Sequence, residues 1–297
     1  MSFQVTTAFV DQFKANVFIK AQEVGGTLRE TVMVDHPTGA NAGYEQVSAT
    51  TAVIRSSRHA DTPLISTPHD KRWVTMIDYE WADLIDDMDK VKMLAELSSP
   101  YAAQAAMALG RAEDDVIIAA LLGTATTGAA RGSTAAFDTT NSQVAVNDHT
   151  YDSGSGDVAL SVGKLIHSKR LLIQNEVDER EELHCLVNGK QLAAMLAETE
   201  VQSADYNQVK ALVSGELKHY MGMNFHVVDR LLVDGSSDEK VIVWAKTGGM
   251  FAVNPDTKIR ITERNDKSHA TQVYASQAMA CVRMEEAKVI QVLCDPT

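Results

Sequence analysis

The chain has 297 residues, 45% hydrophobic and 23% charged, a composition that excludes a disordered polypeptide and supplies enough material for about two ordinary domains. Its 27 Lys and Arg against 40 Asp and Glu give a formal charge of −13, which argues against a general nucleic-acid binder, because phosphate contacts need clustered cations.

Residues 1–31 read as an arm. Phe9, Phe13, Val17 and Ala21 recur at helical spacing, and Gly25-Gly26 closes the stripe. Residues 32–79 differ. Val32–Val34 reads as a strand and is followed by a segment rich in Gly, Ala and Asn, Thr38–Gly43. Val47 to Arg55 then alternates loosely with β-branched residues, Pro63 and Pro68 punctuate a turn region, and Arg72–Ile77 is the next strand. Two extended segments joined by a long connection predict a projecting β-hairpin with little core of its own.

Residues 80–97 read as an acidic helix carrying Glu80, Asp83, Asp86, Asp87 and Asp89. Residues 99–122 are the clearest element. Ser98 or Ser99 suits an N-cap, Pro100 suits the first turn, and an Ala-rich run with no internal Pro ends at Gly123. That helix is about 35 Å long, with Ala106, Leu109, Val116 and Ala120 expected to face packed neighbours. The small polar residues of 124–156 read as a linker. Residues 157–250 read as a compact α/β segment. It has a helix running to Ile173, a buried strand Leu183–Val187, a helix through Ala193 and Leu196, and strands at Gly222–Val228 and Val241–Ala245. Residues 251–295 read as strands at Lys258–Thr262, Thr271–Arg283 and Val289–Leu293.

Motifs that carry chemistry are missing. There is no Walker loop, HExxH or GxSxG, and the nine histidines form no ligand pair at i, i+4. Asp83, Asp86, Asp87 and Asp89 lack a calcium-loop pattern, so no metal or cofactor is expected. Cys185, Cys281 and Cys294 are odd in number and form no CxxC, which predicts no disulfide framework and a reducing compartment; Cys185 reads as a buried structural thiol. Met1–Val5 has no basic segment followed by an apolar one, so no signal peptide is expected. No apolar run approaches the roughly 20 residues that span a bilayer, and synthesis in a cytoplasm follows.

One block has a recognisable order: Asp61-Thr62-Pro63, Lys71-Arg72-Trp73-Val74, Asp78–Asp86, Asp89-Lys90, Ser99-Pro100-Tyr101, Gly110-Arg111, Asp114–Ala120 and Gly123-Thr124-Ala125, with Glu263–Lys267, Tyr274 and Arg283 following. In this order they resemble the major capsid proteins of tailed bacteriophages. The resemblance implies the α+β Hong Kong 97 type capsid fold. Its N-terminal arm would be residues 1–31 and its extended loop 32–79. Its peripheral domain would be 80–155 with 251–297, built on a spine helix at 99–122, and its axial domain 156–250.

The function implied is assembly into pentamers and hexamers that close an icosahedral head around a double-stranded DNA genome. Expected partners are other copies of the chain, a separate scaffolding protein, a portal protein, decoration proteins, and DNA held by weak nonspecific contact; no membrane is involved. The expected location is the virion, after synthesis in the host bacterial cytoplasm. A negatively charged container wall would let packed nucleic acid slide. Expected inter-subunit contacts pair the basic residues Arg55, Arg58 and Arg72, with Trp73 as an anchor, against Asp83, Asp86 and Asp87 of a neighbour. Two alternatives are an encapsulin-like compartment shell enclosing protein cargo and a hydrolase using Asp83 and Asp86.

Overall fold

The computed structural model describes residues 25–59, 61–85, 98–152, 154–197 and 218–296. The expected N-terminal stripe of Phe9, Phe13, Val17 and Ala21, and the acidic residues Asp86, Asp87 and Asp89, lie outside these residues.

Three sheets organise the described chain. A long four-stranded sheet has the order β1 (Met33–Asp35), β12 (Gly249–Arg264), β13 (Ala270–Arg283), β4 (Ile77–Ile85). A six-stranded sheet has the order β7 (Gln143–Val144), β14 (Val289–Cys294), β11 (Glu239–Ala245), β8 (Leu183–Val187), β10 (Met223–Val227), β9 (His219–Tyr220). A third is built from β2 (Asn41–Val47), β3 (His69–Thr75), β5 (Ala125–Thr127) and β6 (Ser133–Ala135).

The sequence of β8, Leu-His-Cys-Leu-Val, is buried at every position. That is the pattern of a central strand covered on both faces. On one face Cys185 and Val187 join Val241, Val243, Ile290 and Val292, against Leu165 and Leu172 of helix α2 (Val162–Gln174) and Met195 of helix α3 (Gly189–Ala197). On the other face Leu186, Ile242 and Trp244 meet Ile117, Ile118 and Leu121 of the long helix α1 (Ser98–Leu122), together with Phe251, Val253 and Met279 of the long sheet. The last turns of α1 therefore lie in a core that both sheets share. Further towards its N-terminus, Ala105 and Leu109 seat on Ala275, Tyr79 and Trp81.

Residues 25–32 run alongside α1. Gly25 lies so close to the helix that an added Cβ would fall 1.9 Å from the Arg111 nitrogen, a space only glycine can occupy. Buried Asp114 accepts the backbone N–H groups of Gly26 and Leu28, each at 3.0 Å, and the Trp244 indole donates to the Thr31 carbonyl at 3.1 Å.

Several expectations need correction. The described part of the expected acidic helix, residues 80–85, is strand; β4 pairs with β13 from Ile77↔Met279 to Ile85↔Thr271. The acidic residues sit at spacings compatible with a helix. A partner strand nearly two hundred residues away instead selects the period of two, with Tyr79 and Trp81 on the helix-facing side. The first strand of the hairpin is Asn41–Val47 rather than 47–55, because Gly43 lies under the Trp73 ring, where a Cβ would come within 2.7 Å. Residues 124–156, read as linker, contribute β5, β6 and β7. Strand β14 joins the six-stranded sheet, not the sheet of 251–283 with which it had been grouped. Ala106 is exposed; the buried alanine on that turn is Ala105.

Candidate functional site

The third sheet is the base of the projecting hairpin. Strands β2 and β3 pair in register from Asn41↔Thr75 to Val47↔His69, and the bond from the Ser48 N–H to the Pro68 carbonyl, 3.0 Å, closes the neck. Val74 and Ala125 pack on Ala252, Ala280, Val282 and Met284, so the base is fastened to one face of the long sheet. Beyond the neck, residues 48–68 form no strand or helix in their described part. This loop carries the two most exposed large apolar residues of the described chain, Leu64 at 98% and Ile54 at 91%, with Val53 at 60% beside them.

Arg72 does not reach outward. It is buried at 6% exposure. Its Nε donates to the Met284 carbonyl at 3.0 Å and its Nη2 to the Glu286 carboxylate at 2.7 Å. The expectation that Arg72 pairs with another copy is therefore overturned; its partners are 212 and 214 residues away in its own chain.

The same carboxylate group lies 3.5 Å from Arg283, which is fully buried. Arg283 donates from Nη1 to the carbonyls of Leu121, at 2.9 Å, and Gly123, at 2.6 Å. Those carbonyls sit at the end of α1, where helical partners run out. Burial lowers the pKa of Arg283, and Glu286 opposes the shift. Two guanidiniums and one carboxylate thus weld the hairpin, the helix end and the long sheet together.

Trp73 is also engaged within the chain. Its indole donates to the Gly128 carbonyl at 2.7 Å, and the Arg131 guanidinium stands 4.5 Å over its ring, a cation–π contact. Arg55 and Arg58 are exposed in the loop, and Arg55 Nε donates to the nearby Ser57 carbonyl at 2.9 Å. Asp83 is exposed on β4, its carboxylate accepting the Leu84 N–H at 2.8 Å. Of the seven residues expected at contacts, Arg55, Arg58 and Asp83 are presented to solvent. Arg72 and Trp73 are spent internally, and Asp86 and Asp87 lie outside the described residues.

Sequence reasoning missed a histidine pair. His184 on β8 and His226 on β10 meet across two parallel strands, with His184 Nδ1 3.2 Å from His226 Nε2 and the Trp244 ring tilted beside both. The two lie 42 positions apart, and no helical spacing signals them. Burial is the largest cause that pushes the His184 pKa down, to about 4, and His226 adds to it. Cys185 faces the opposite side of β8, fully buried, its thiol pKa raised by burial. Among the described residues, no group of three or more His, Cys, Asp or Glu side chains is arranged to hold a metal ion. Among the described residues, no helix is long and apolar enough to cross a membrane.

The sequence profile of a family described as phage capsid protein matches residues 5–296. No curated protein sequence matches the chain. Among solved structures, the capsid of Ralstonia phage GP4 superposes with a TM-score of 0.74 at 9% identity, covering 97% of this chain and 96% of that one. The head structure of Helicobacter pylori bacteriophage KHP40 gives 0.71 at 9% identity, covering 99% and 98%. The capsid asymmetric unit of Cyanophage Pam1 gives 0.70 at 12% identity, covering 97% of each chain. At these identities the likeness establishes a shared fold.

Proposed function

The chain belongs to the phage capsid protein family, and from that premise we propose that it is the major capsid subunit whose copies form pentamers and hexamers and close a head around double-stranded DNA. In the terms of that fold, the hairpin between β1 and β4 is the extended loop, α1 is the spine helix, and the six-stranded sheet with α2 and α3 is the core of the axial domain. The role is structural rather than catalytic. Synthesis takes place in the host cytoplasm. A separate scaffolding protein guides closure, with portal and decoration proteins completing the head.

The observation that carries the reading is the loop. Ile54 and Leu64 are 91% and 98% exposed at the end of an arm whose base is fixed by Arg72, Trp73 and Val74. A single subunit gains nothing by holding such apolar side chains in water on a rigid mount. A neighbouring copy that covers them removes that surface from solvent, and repetition around each ring multiplies a weak contact. Arg55 and Arg58 lie in the same loop and suit carboxylates on the neighbour.

The test is to replace residues 49–67 by a short turn, keeping the Ser48–Pro68 neck. The subunit is expected to melt within a few degrees of wild type and to form no closed particles. A variant that assembles normally would remove the loop from the interface.

A further inference from the structure

Given the self-assembly proposed above, we infer that one copy's β4 edge joins the β12 edge of another copy, and that the opposite charges of the two edges make this contact head-to-tail. The long sheet has two open sides among the described residues. Strand β4 is the last strand and has no partner beyond it. On the opposite side, β1 covers β12 only at 250–252, which leaves the outer side of 258–264 unpaired. Long open edges are aggregation hazards that proteins ordinarily shorten, bulge or cover. Here both are long and carry exposed apolar side chains, Ile77 and Leu84 on one, Ile259 and Ile261 on the other.

The charges of the edges are opposite. Strand β4 contains Asp78, Glu80 and Asp83 and no cation, whereas 258–264 contains Lys258, Arg260 and Arg264 against one acid, Glu263. Their placement matches as well. Arg260 pairs with Tyr274, and Tyr274 with Ala82, so Arg260 and Thr262 project from the same face as Asp78, Glu80, Ala82 and Leu84. That face is open at this end of the sheet, with Asp78, Glu80, Arg260 and Thr262 all exposed.

If the sheet continued from one copy into the next, these residues would become cross-strand neighbours of opposite charge, about 5 Å apart. On the helix-facing side, Ile259 and Ile261 would lie beside the β4 row of Tyr79 and Trp81. A two-fold contact of β4 with β4, or of β12 with β12, would instead set like charges together. The contact is therefore heterologous, the kind that generates closed rings. Arg264 is engaged by Asp266, at 2.5 Å and 2.7 Å, and by Gln272. Arg260 makes no ion pair among the described residues, so it is the cation whose reversal is most telling.

Three full-length variants test this in the assembling system: Arg260→Glu, Asp78→Lys with Glu80→Lys, and all three substitutions together. Each of the first two is expected to melt like wild type and to lower particle yield about tenfold, because several weak exposed contacts are lost in every ring. The triple variant restores opposite charges with the signs exchanged and is expected to recover yield to within about twofold. Wild-type yield from Arg260→Glu, or a triple variant no better than either parent, would overturn the proposal.

A second readout is independent of charge. Within a subunit Thr262 lines up through Gln272 with Leu84, so Ala82→Cys with Thr262→Cys places the two thiols two strand spacings apart and two residues out of register, about 12 Å, beyond the roughly 7 Å limit between disulfide Cα atoms. Oxidised particles are expected to give a ladder of linked chains, and its absence would also overturn the inference. Wild-type chain that forms no particles at all would overturn the assembly reading on which the inference rests.

Discussion

Single side chains hold the junctions of this molecule, and most of them are polar residues whose partners lie far off in sequence. Asp114 accepts the N–H groups of Gly26 and Leu28 and fixes the entering segment against α1. Asp114→Ala leaves those donors without an acceptor, and we expect a loss of about 1 to 3 kcal/mol in urea unfolding. Unchanged stability would mean that water replaces the carboxylate. Arg72 illustrates why charge was misread from sequence. It sits among other cations in a segment correctly expected to form a hairpin, yet Glu286 and the Met284 carbonyl come from the other end of the chain. Nothing local distinguishes it from Arg55 or Arg58.

The histidine pair makes a pH prediction at the same scale. Burial holds His184 neutral, with its pKa near 4 against an ordinary value of 6.5. The unfolded chain takes up the proton first, so this residue's contribution is intact above about pH 6.5 and is lost as the pH falls towards 4, by roughly 3 kcal/mol. The pKa of His226 is also lowered by burial and adds in the same direction. Urea midpoints of wild type should fall between pH 7 and pH 4.5, and His184→Leu should flatten that slope. Equal slopes in the two proteins would show that the pair stays solvated.

At the scale of elements, α1 separates what periodicity reveals from what it leaves open. Its limits were legible because an Ala-rich run bounded by Ser98 and Gly123 has no competing structure. Leu109 is buried and Val116 packs against the shared core, as expected, but the alanines of the buried face were not legible, since alanine is small enough for either side. Ala105 is fully buried against the long sheet while Ala106 is exposed. Ala105→Leu is therefore expected to cost about 1 to 3 kcal/mol through overpacking, and Ala106→Leu less than about 0.5 kcal/mol, both read by thermal melting. Equal effects would mean the helix is rotated on the sheet.

Strands followed the same rule. Leu183–Val187, a short and mostly apolar run, was placed correctly to the residue, and Val289–Cys294 missed its last residue only. Residues 80–85 were misread because the acids hide an alternation of Tyr79 and Trp81 that only the pairing with β13 makes decisive.

At the scale of the whole molecule, the long sheet, the six-stranded sheet and α1 converge on a shared core of Ile117, Leu121, Trp244, Phe251 and Met279, and the third sheet is fastened to the long sheet through Val74 and Ala125, so each part has a fixed position. What that core leaves unpaired points outward: a loop with exposed Ile54 and Leu64 and, among the described residues, two open strand edges of opposite charge. Sequence order alone pointed to the fold. It did not reveal these surfaces, because exposure depends on which residues the core has already used.

The central claim is that the chain builds a closed shell. Electron microscopy of the expressed chain, alone and with the proposed scaffolding protein, tests it most directly. The account predicts closed icosahedral particles whose wall fits this subunit in rings of five and six. A sample containing only monomers, with the scaffold present, would contradict it.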